Sequence, residues 1–216
     1  MASTEDLIAR LSGGLAPVAR LARPDLRALG PIALATALIA LLVLLRGFRA
    51  DLDQRLAEAP YLLQLAGAWL TGATATLAAF ETSLPDRSRA WLLLPLPPLV
   101  LWLSGFGWTC FFHWIAIPSG APIAADSLRC LETIIMASLP LAFVLWRMLA
   151  RAKPLAPAPV AWAGALAVAA FADSAHLLIH VVQASALVLV INLVPAAMII
   201  ALGGLFGRRR LASAAT

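Results

Sequence analysis

The chain has 216 residues, of which 62% are hydrophobic and only 12% charged, and its mean hydropathy is +0.91. About a quarter of the residues of a soluble domain are charged, so this composition excludes one and points to a polypeptide whose main solvent is lipid. The formal net charge of +5 does not point to nucleic acid, because Lys and Arg stand in small groups between apolar runs rather than in one patch.

Residues 1–29 form a charged, half-polar arm ahead of the first apolar run. Ser3 or Thr4 can cap a short helix whose first turn holds Glu5 and Asp6, opposite in sign to the helix N-terminus, with Leu7, Ile8 and Leu11 on one face. Gly13 and Gly14 end it, and a second apolar set, Leu15, Val18 and Leu21, leads to Arg23 and Pro24. Pieces this short do not hold a helix alone in water, so the arm is expected to dock on something. Arg10, Arg20, Arg23 and Arg27 suit anionic headgroups. Glu5 and Asp6 oppose such a surface and favour a cytoplasmic protein with an apolar groove, engaged by a segment that orders on binding.

Six apolar runs follow, at 30–48, 61–81, 90–108, 129–149, 158–179 and 183–206, each long enough to cross about 30 Å of hydrocarbon as a helix. No ten-residue stretches alternate with a period of two, so barrel strands are not expected and the fold class is an all-α integral membrane bundle of six transmembrane helices. Arg10, Arg20, Arg23, Arg27, Arg87, Arg89, Arg147, Arg151, Lys153, Arg208, Arg209 and Arg210 fall on one side of such a bundle, against Arg46, Arg49, Arg55 and Arg129 on the other. Lys and Arg are retained inside, so both termini are expected in the cytoplasm. The first run lies too far from Met1 for a cleavable signal, and cleavage would spoil this charge pattern, so it is expected to remain as an anchor.

Prolines 95, 97, 98, 140 and 195 fall inside runs, where each removes a backbone donor and is expected to kink or open a helix. The pairs Ala68/Gly72 and Gly203/Gly207 have the spacing of close helix contacts and are expected to pack within the chain. The arm, the bundle over 30–207 and a basic tail over 208–216 make up the organisation.

There is no GxSxG, HExxH, GxxxxGK or CxxC, so no enzymatic role and no cofactor are expected. Polar groups at membrane depth are costly and become the candidates. Glu132 and Asp173 suit a proton relay or a cation site, but both lie close to an interface and the preferred reading is a hydrated carboxylate. Glu81 and Asp86 are expected to be solvated. His176 and His180 share a helix face, yet with only His113 besides they make interfacial histidines a better reading than a metal site. Cys110 and Cys130 flank the longest outer connection, which leaves open a bridge or two buried thiols. Between them Trp108, Phe111, Phe112 and Trp114 suit an interfacial belt.

The opening TEDLIARL with a downstream PV, the SLRCLETIIMASLPLAFVLW stretch, the LIHVVQASALVLV passage and the closing GGLFGRR resemble the NrsF family of membrane-embedded anti-sigma factors. The resemblance implies that the N-terminal segment holds an extracytoplasmic-function sigma factor at the bacterial inner membrane. Envelope, metal or oxidative stress would release it, and no direct contact with nucleic acid is implied. It places Asp6, Leu7 and Ile8 in the sigma contact, with Glu5 and Leu11 beside them, makes Cys130 the sensing thiol and matches His180 to a family histidine. Members credited with redox sensing carry a second cysteine directly after that histidine, where this chain has Val181. Cys110 is then the remaining intramolecular partner for Cys130, or the signal is not thiol oxidation. Glu132, two residues after Cys130, joins the sensing set. The other class of reading is a small six-helix transporter or redox carrier that uses Glu132, Asp173 and the histidines.

Overall fold

The computed structural model describes residues 4–13, 22–112 and 123–179, and within them all long regular structure is helical. The helices are α1 (Thr4–Ser12), α2 (Pro24–Arg46), α3 (Leu52–Leu56), α4 (Ala59–Thr82), α5 (Leu96–Phe112), α6 (Ile123–Ala150) and α7 (Pro157–Ile179), with a 3-10 turn at Arg89–Leu93. Among the described residues, four segments are long and apolar enough to cross a membrane, namely Pro24–Arg46, Ala59–Thr82, Glu132–Ala150 and Pro157–Ile179. The second arm piece (15–21), His113, Trp114, the expected sixth span with Pro195, Gly203 and Gly207, and the basic tail lie outside the described residues.

The helix α2 starts ahead of the apolar run because Pro24 suits a first helical position, where no N–H partner exists. It stops at Gly47, whose φ of 82° few other residues adopt and whose N–H returns to the Val43 carbonyl at 2.8 Å. Its buried stripe, Ala28, Pro31, Ala35, Ile39 and Leu42, follows the helical repeat, while Leu41, Leu44 and Leu45 point outwards. Such outward leucines are costly in water and at home in lipid.

The third run differs from expectation. Residues 89–93 form a 3-10 turn capped by Ser88, whose Oγ accepts from the Ala90 N–H at 3.2 Å, and α5 begins only at Leu96. Pro95 precedes the helix and Pro97 and Pro98 fall in its first turn, so their missing donors are ones that α5 would have left unpaired in any case. These prolines start a helix rather than kink one. Pro31 and Pro140 are the prolines inside described helices.

Packing centres on α7, which is buried on nearly every side and presents Ala161, Ala163, Ala165, Ala167, Ala169, Ala170, Ala172 and Ala175 to α2, α4, α5 and α6. Small side chains let neighbouring backbones approach where lipid supplies no hydrophobic drive between helices. A Cβ on Gly67 would lie 2.5 Å from the Trp102 nitrogen, and one on Gly105 would lie 2.6 Å from the Gln64 Cβ, so α4 and α5 touch almost backbone to backbone. Ala68 and Gly72 also pack within the chain, Ala68 with Trp102 and Ala170 and Gly72 against the Phe171 ring. Threonines in α4 return their hydroxyls to carbonyls one turn back, Thr71 to Gly67 at 2.6 Å and Thr76 to Gly72 at 2.8 Å, which satisfies them without water.

Candidate functional site

Among the described residues, the larger interfaces of the bundle are built by α2 to α7, without α1. Glu5 and Asp6 occupy its first turn, and Leu7 and Ile8 are 54% and 59% exposed. Gly13 ends it, with its N–H on the Ala9 carbonyl at 3.0 Å. Leu11 belongs to the same helix, and its side chain lies outside the described residues. α1 is therefore a short amphipathic helix on which Leu7 and Ile8 are exposed.

The alternation of helices sorts the charges into two ends. One, here the basic end, carries Arg23, Arg27, Arg87, Arg89, Arg147, Arg151 and Lys153 with Asp25, Glu81 and Asp86. There the half-buried Arg27 lies over the Phe80 ring, 5.2 Å from its centroid, and donates to the Met148 carbonyl at 2.9 Å, near the end of α6. That carbonyl is one of the four that a helix leaves unpaired at its C-terminus. Glu81 is buried and meets Arg87 at 3.3 Å, which corrects the expectation of a solvated carboxylate: the turn after α4 folds back over it.

The other, paired end joins the α2–α4 connection to the last described turn of α7. Arg49 is only 7% exposed and grips Asp51 with two hydrogen bonds, Nε to Oδ1 at 2.7 Å and Nη2 to Oδ2 at 3.0 Å. Its Nη1 donates to the Leu177 carbonyl at 3.4 Å, its backbone N–H donates to the Leu178 carbonyl at 3.1 Å, and its guanidinium lies 5.4 Å from the Tyr61 ring centroid. Tyr61 Oη adds a bond to the Leu177 carbonyl at 2.8 Å, and Arg55 Nε adds one to Asp51 Oδ2 at 3.2 Å. The Arg49 guanidinium, opposed by partial burial and aided by Arg55, holds the Asp51 carboxyl well below the usual carboxylate range. None of this latch follows from residue type alone. The close Arg49, Asp51 and Arg55 after a span, with the chain's one tyrosine following, is the signal in hindsight.

Glu132 accepts from Arg46 Nη2 at 2.7 Å, an ion pair between α6 and α2, and the same nitrogen reaches the Met136 sulfur at 3.4 Å. Asp173 is 5% exposed and accepts from Trp102 Nε1 at 2.8 Å, so it is a buried crosslink between α7 and α5 and not the hydrated carboxylate expected. His176 is buried too, whereas Glu132 is exposed at the rim, so these groups do not share one surface. Cys110 falls in α5 and Cys130 in α6, with side chains outside the described residues, and His180 lies outside them altogether.

A short helix with exposed Leu7 and Ile8 ahead of a bundle that, among the described residues, is helical and holds four helices fit to cross a membrane defines the class: a helical membrane protein. The comparisons narrow it. Residues 11–212 match the family described as NrsF, negative regulator of sigma F, and the chain belongs to that family. Membership makes it a regulator, with a sigma factor as the partner it restrains. The matched region contains Leu11 and begins after Glu5, Asp6, Leu7 and Ile8. No curated protein and no solved structure matches the chain.

Proposed function

We propose that this chain is an anti-sigma factor anchored in the bacterial inner membrane by six spans over residues 30–207. Its cytoplasmic arm, residues 1–29, sequesters an extracytoplasmic-function sigma factor, and its basic tail, 208–216, lies on the same side. The arm engages the sigma factor through Glu5, Asp6, Leu7, Ile8 and Leu11. Envelope, metal or oxidative stress acts on Cys130, Cys110, Glu132 and His180 at the far end and releases the partner.

The carrying observation is the exposure of Leu7 and Ile8 on α1 in a member of a sigma-regulating family. A nine-residue helix is too short to persist unaided in water, so its exposed Leu7 and Ile8 need a cover. Glu5 and Asp6 disfavour an anionic membrane as that cover and suit a basic protein groove. The excess of Arg and Lys at the basic end supports a cytoplasmic orientation for the start of α2, and with it for the arm.

The test is co-expression of the sigma factor with the full chain or with a chain lacking residues 2–21, a deletion that leaves Pro24 to begin α2. The sigma factor is expected to sediment with membranes and stay silent with the full chain, and to be soluble and active with the truncated one. A finer test replaces Leu7 and Ile8 together by Asp, which is expected to weaken sigma binding by about a hundredfold. Membrane retention by the truncated chain would overturn the proposal.

A further inference from the structure

At the basic end a cavity of about 230 Å³ opens between the turn that follows α4 and the start of α7, lined in part by Thr82, Arg87, Arg89, Leu155 and Pro159. Its two guanidinium groups differ in state. Arg87 is engaged by the buried Glu81 at 3.3 Å, whereas Arg89 is exposed and has no acidic partner among the described residues. Leu155, which lines the cavity, is 81% exposed, so an apolar surface adjoins the free cation. Arg147, Arg151 and Lys153 add positive charge at the same end; Lys153 stands in the left-handed region at φ 46° and is followed by the buried Pro154, which sets the course of the chain into Leu155.

These features describe a ligand that is anionic at one point and apolar beside it. A water occupies about 30 Å³ of liquid, so the cavity has room for a phosphodiester and part of a glycerol but not for a folded peptide segment. Guanidinium is the side chain best shaped to hold phosphate oxygens in pairs, and basic pockets between helices at a membrane surface suit anionic headgroups. We infer that this cavity is a binding site for the phosphate of an anionic phospholipid, with Arg89 as its principal ligand, Arg87 as a second cation held in place by Glu81, and an acyl chain running past Leu155. The site lies apart from α1 and does not depend on the arm being the sigma-binding element.

The experiment uses the full chain purified in a neutral detergent, with lipid occupancy counted by native mass spectrometry and unfolding followed by temperature. Phosphatidylglycerol is expected to remain bound and to raise the unfolding midpoint, while phosphatidylcholine and inorganic phosphate at equal concentration do neither. Arg89→Gln, at an exposed position, is expected to fold with an unchanged midpoint in lipid-free detergent and to bind phosphatidylglycerol about tenfold more weakly, the loss of one charge-assisted hydrogen bond. Equal retention of phosphatidylglycerol and phosphatidylcholine, or unaltered phosphatidylglycerol binding by Arg89→Gln, would overturn the site. A response reproduced in full by inorganic phosphate would overturn the assignment to a lipid. Deleting residues 2–21 leaves the lipid result unchanged, so failure here and failure of sigma retention are separate outcomes.

Discussion

Two arginines do similar local work at opposite ends of the bundle. Arg27, in α2, and Arg49, in the connection that follows α2, each lie over an aromatic ring and donate to a carbonyl late in a described helix, Met148 in α6 and Leu177 in α7. A cation suits the Met148 position, since the helix dipole leaves partial negative charge at the end of α6. The difference is in what neutralises them. Asp51 grips Arg49 through two bonds, while Arg27 pairs with no carboxylate among the described residues and sits in an excess of positive charge. The paired end is thus closed on itself electrostatically, with its shape fixed by internal partners. The basic end keeps charge to spend on something outside the chain, which is where the arm begins and where the proposed lipid site lies.

The sharpest way to break this contrast is Arg49→Met. It removes two bonds to Asp51, one to Leu177 and the contact with Tyr61, and it leaves Asp51 with only Arg55. Breaking a buried, hydrogen-bonded ion pair is expected to destabilise the folded protein by about 3 kcal/mol, read from unfolding in detergent. Arg49→Lys should recover only part, because an ammonium offers neither the planar fork nor the stacking. Arg89→Gln at the basic end is expected to change lipid-free stability by less than about 0.5 kcal/mol. Similar losses at both ends would remove the distinction.

Acid provides a smaller and more selective probe. The folded Asp51 carboxyl titrates below its unfolded value, so its contribution is complete above the ordinary carboxylate pKa of about 3.9 and is withdrawn as pH falls towards the folded value. Wild type is therefore expected to lose more stability than Asp51→Asn as pH falls from about 5 to about 3. The protection factor of the Arg49 amide, whose N–H reaches the Leu178 carbonyl, should fall in the same window once the slower intrinsic exchange in acid is divided out. Parallel pH profiles for the two proteins would show that the latch contributes nothing.

Composition made the lipid environment legible, and unbroken hydropathy made α2, α4, α6 and α7 legible to within a few residues at most ends. Depth and direction were not. Asp173 and Glu81 each read as near-interfacial carboxylates because distance along a helix says nothing of which way a side chain points. Trp102 covers the first and the returning turn with Arg87 covers the second. Prolines 97 and 98 read as kinks because a sequence gives the residue but not its position within a helix, and in the first turn the same chemistry is harmless. Arg49 entered the charge pattern as one outer cation among four, while its role depends on Asp51, Tyr61 and Leu177 meeting across a long separation in the chain. The apolar face of α1, by contrast, was legible from a few residues, since a short amphipathic helix needs no tertiary partner to declare its pattern.

The smallest expected effect tests whether the paired end is uniformly tight. Arg46 and Glu132 meet at 2.7 Å, yet their side chains are 29% and 53% exposed, unlike the enclosed Arg49. An ion pair so open is worth about 0.5 kcal/mol, because solvent competes for both charges and ordering two long side chains opposes the gain. Glu132→Gln and Arg46→Gln, alone and together, are expected to give a coupling of that size in a double-mutant cycle on unfolding. Glu132 follows Cys130 by two residues on α6, and the proposed sensing role requires a contact weak enough to open while Arg49 keeps the rest of the end together. A coupling above about 2 kcal/mol would place the pair with the desolvated latch instead, and a sensing role for Glu132 would then need a trigger strong enough to break a buried contact.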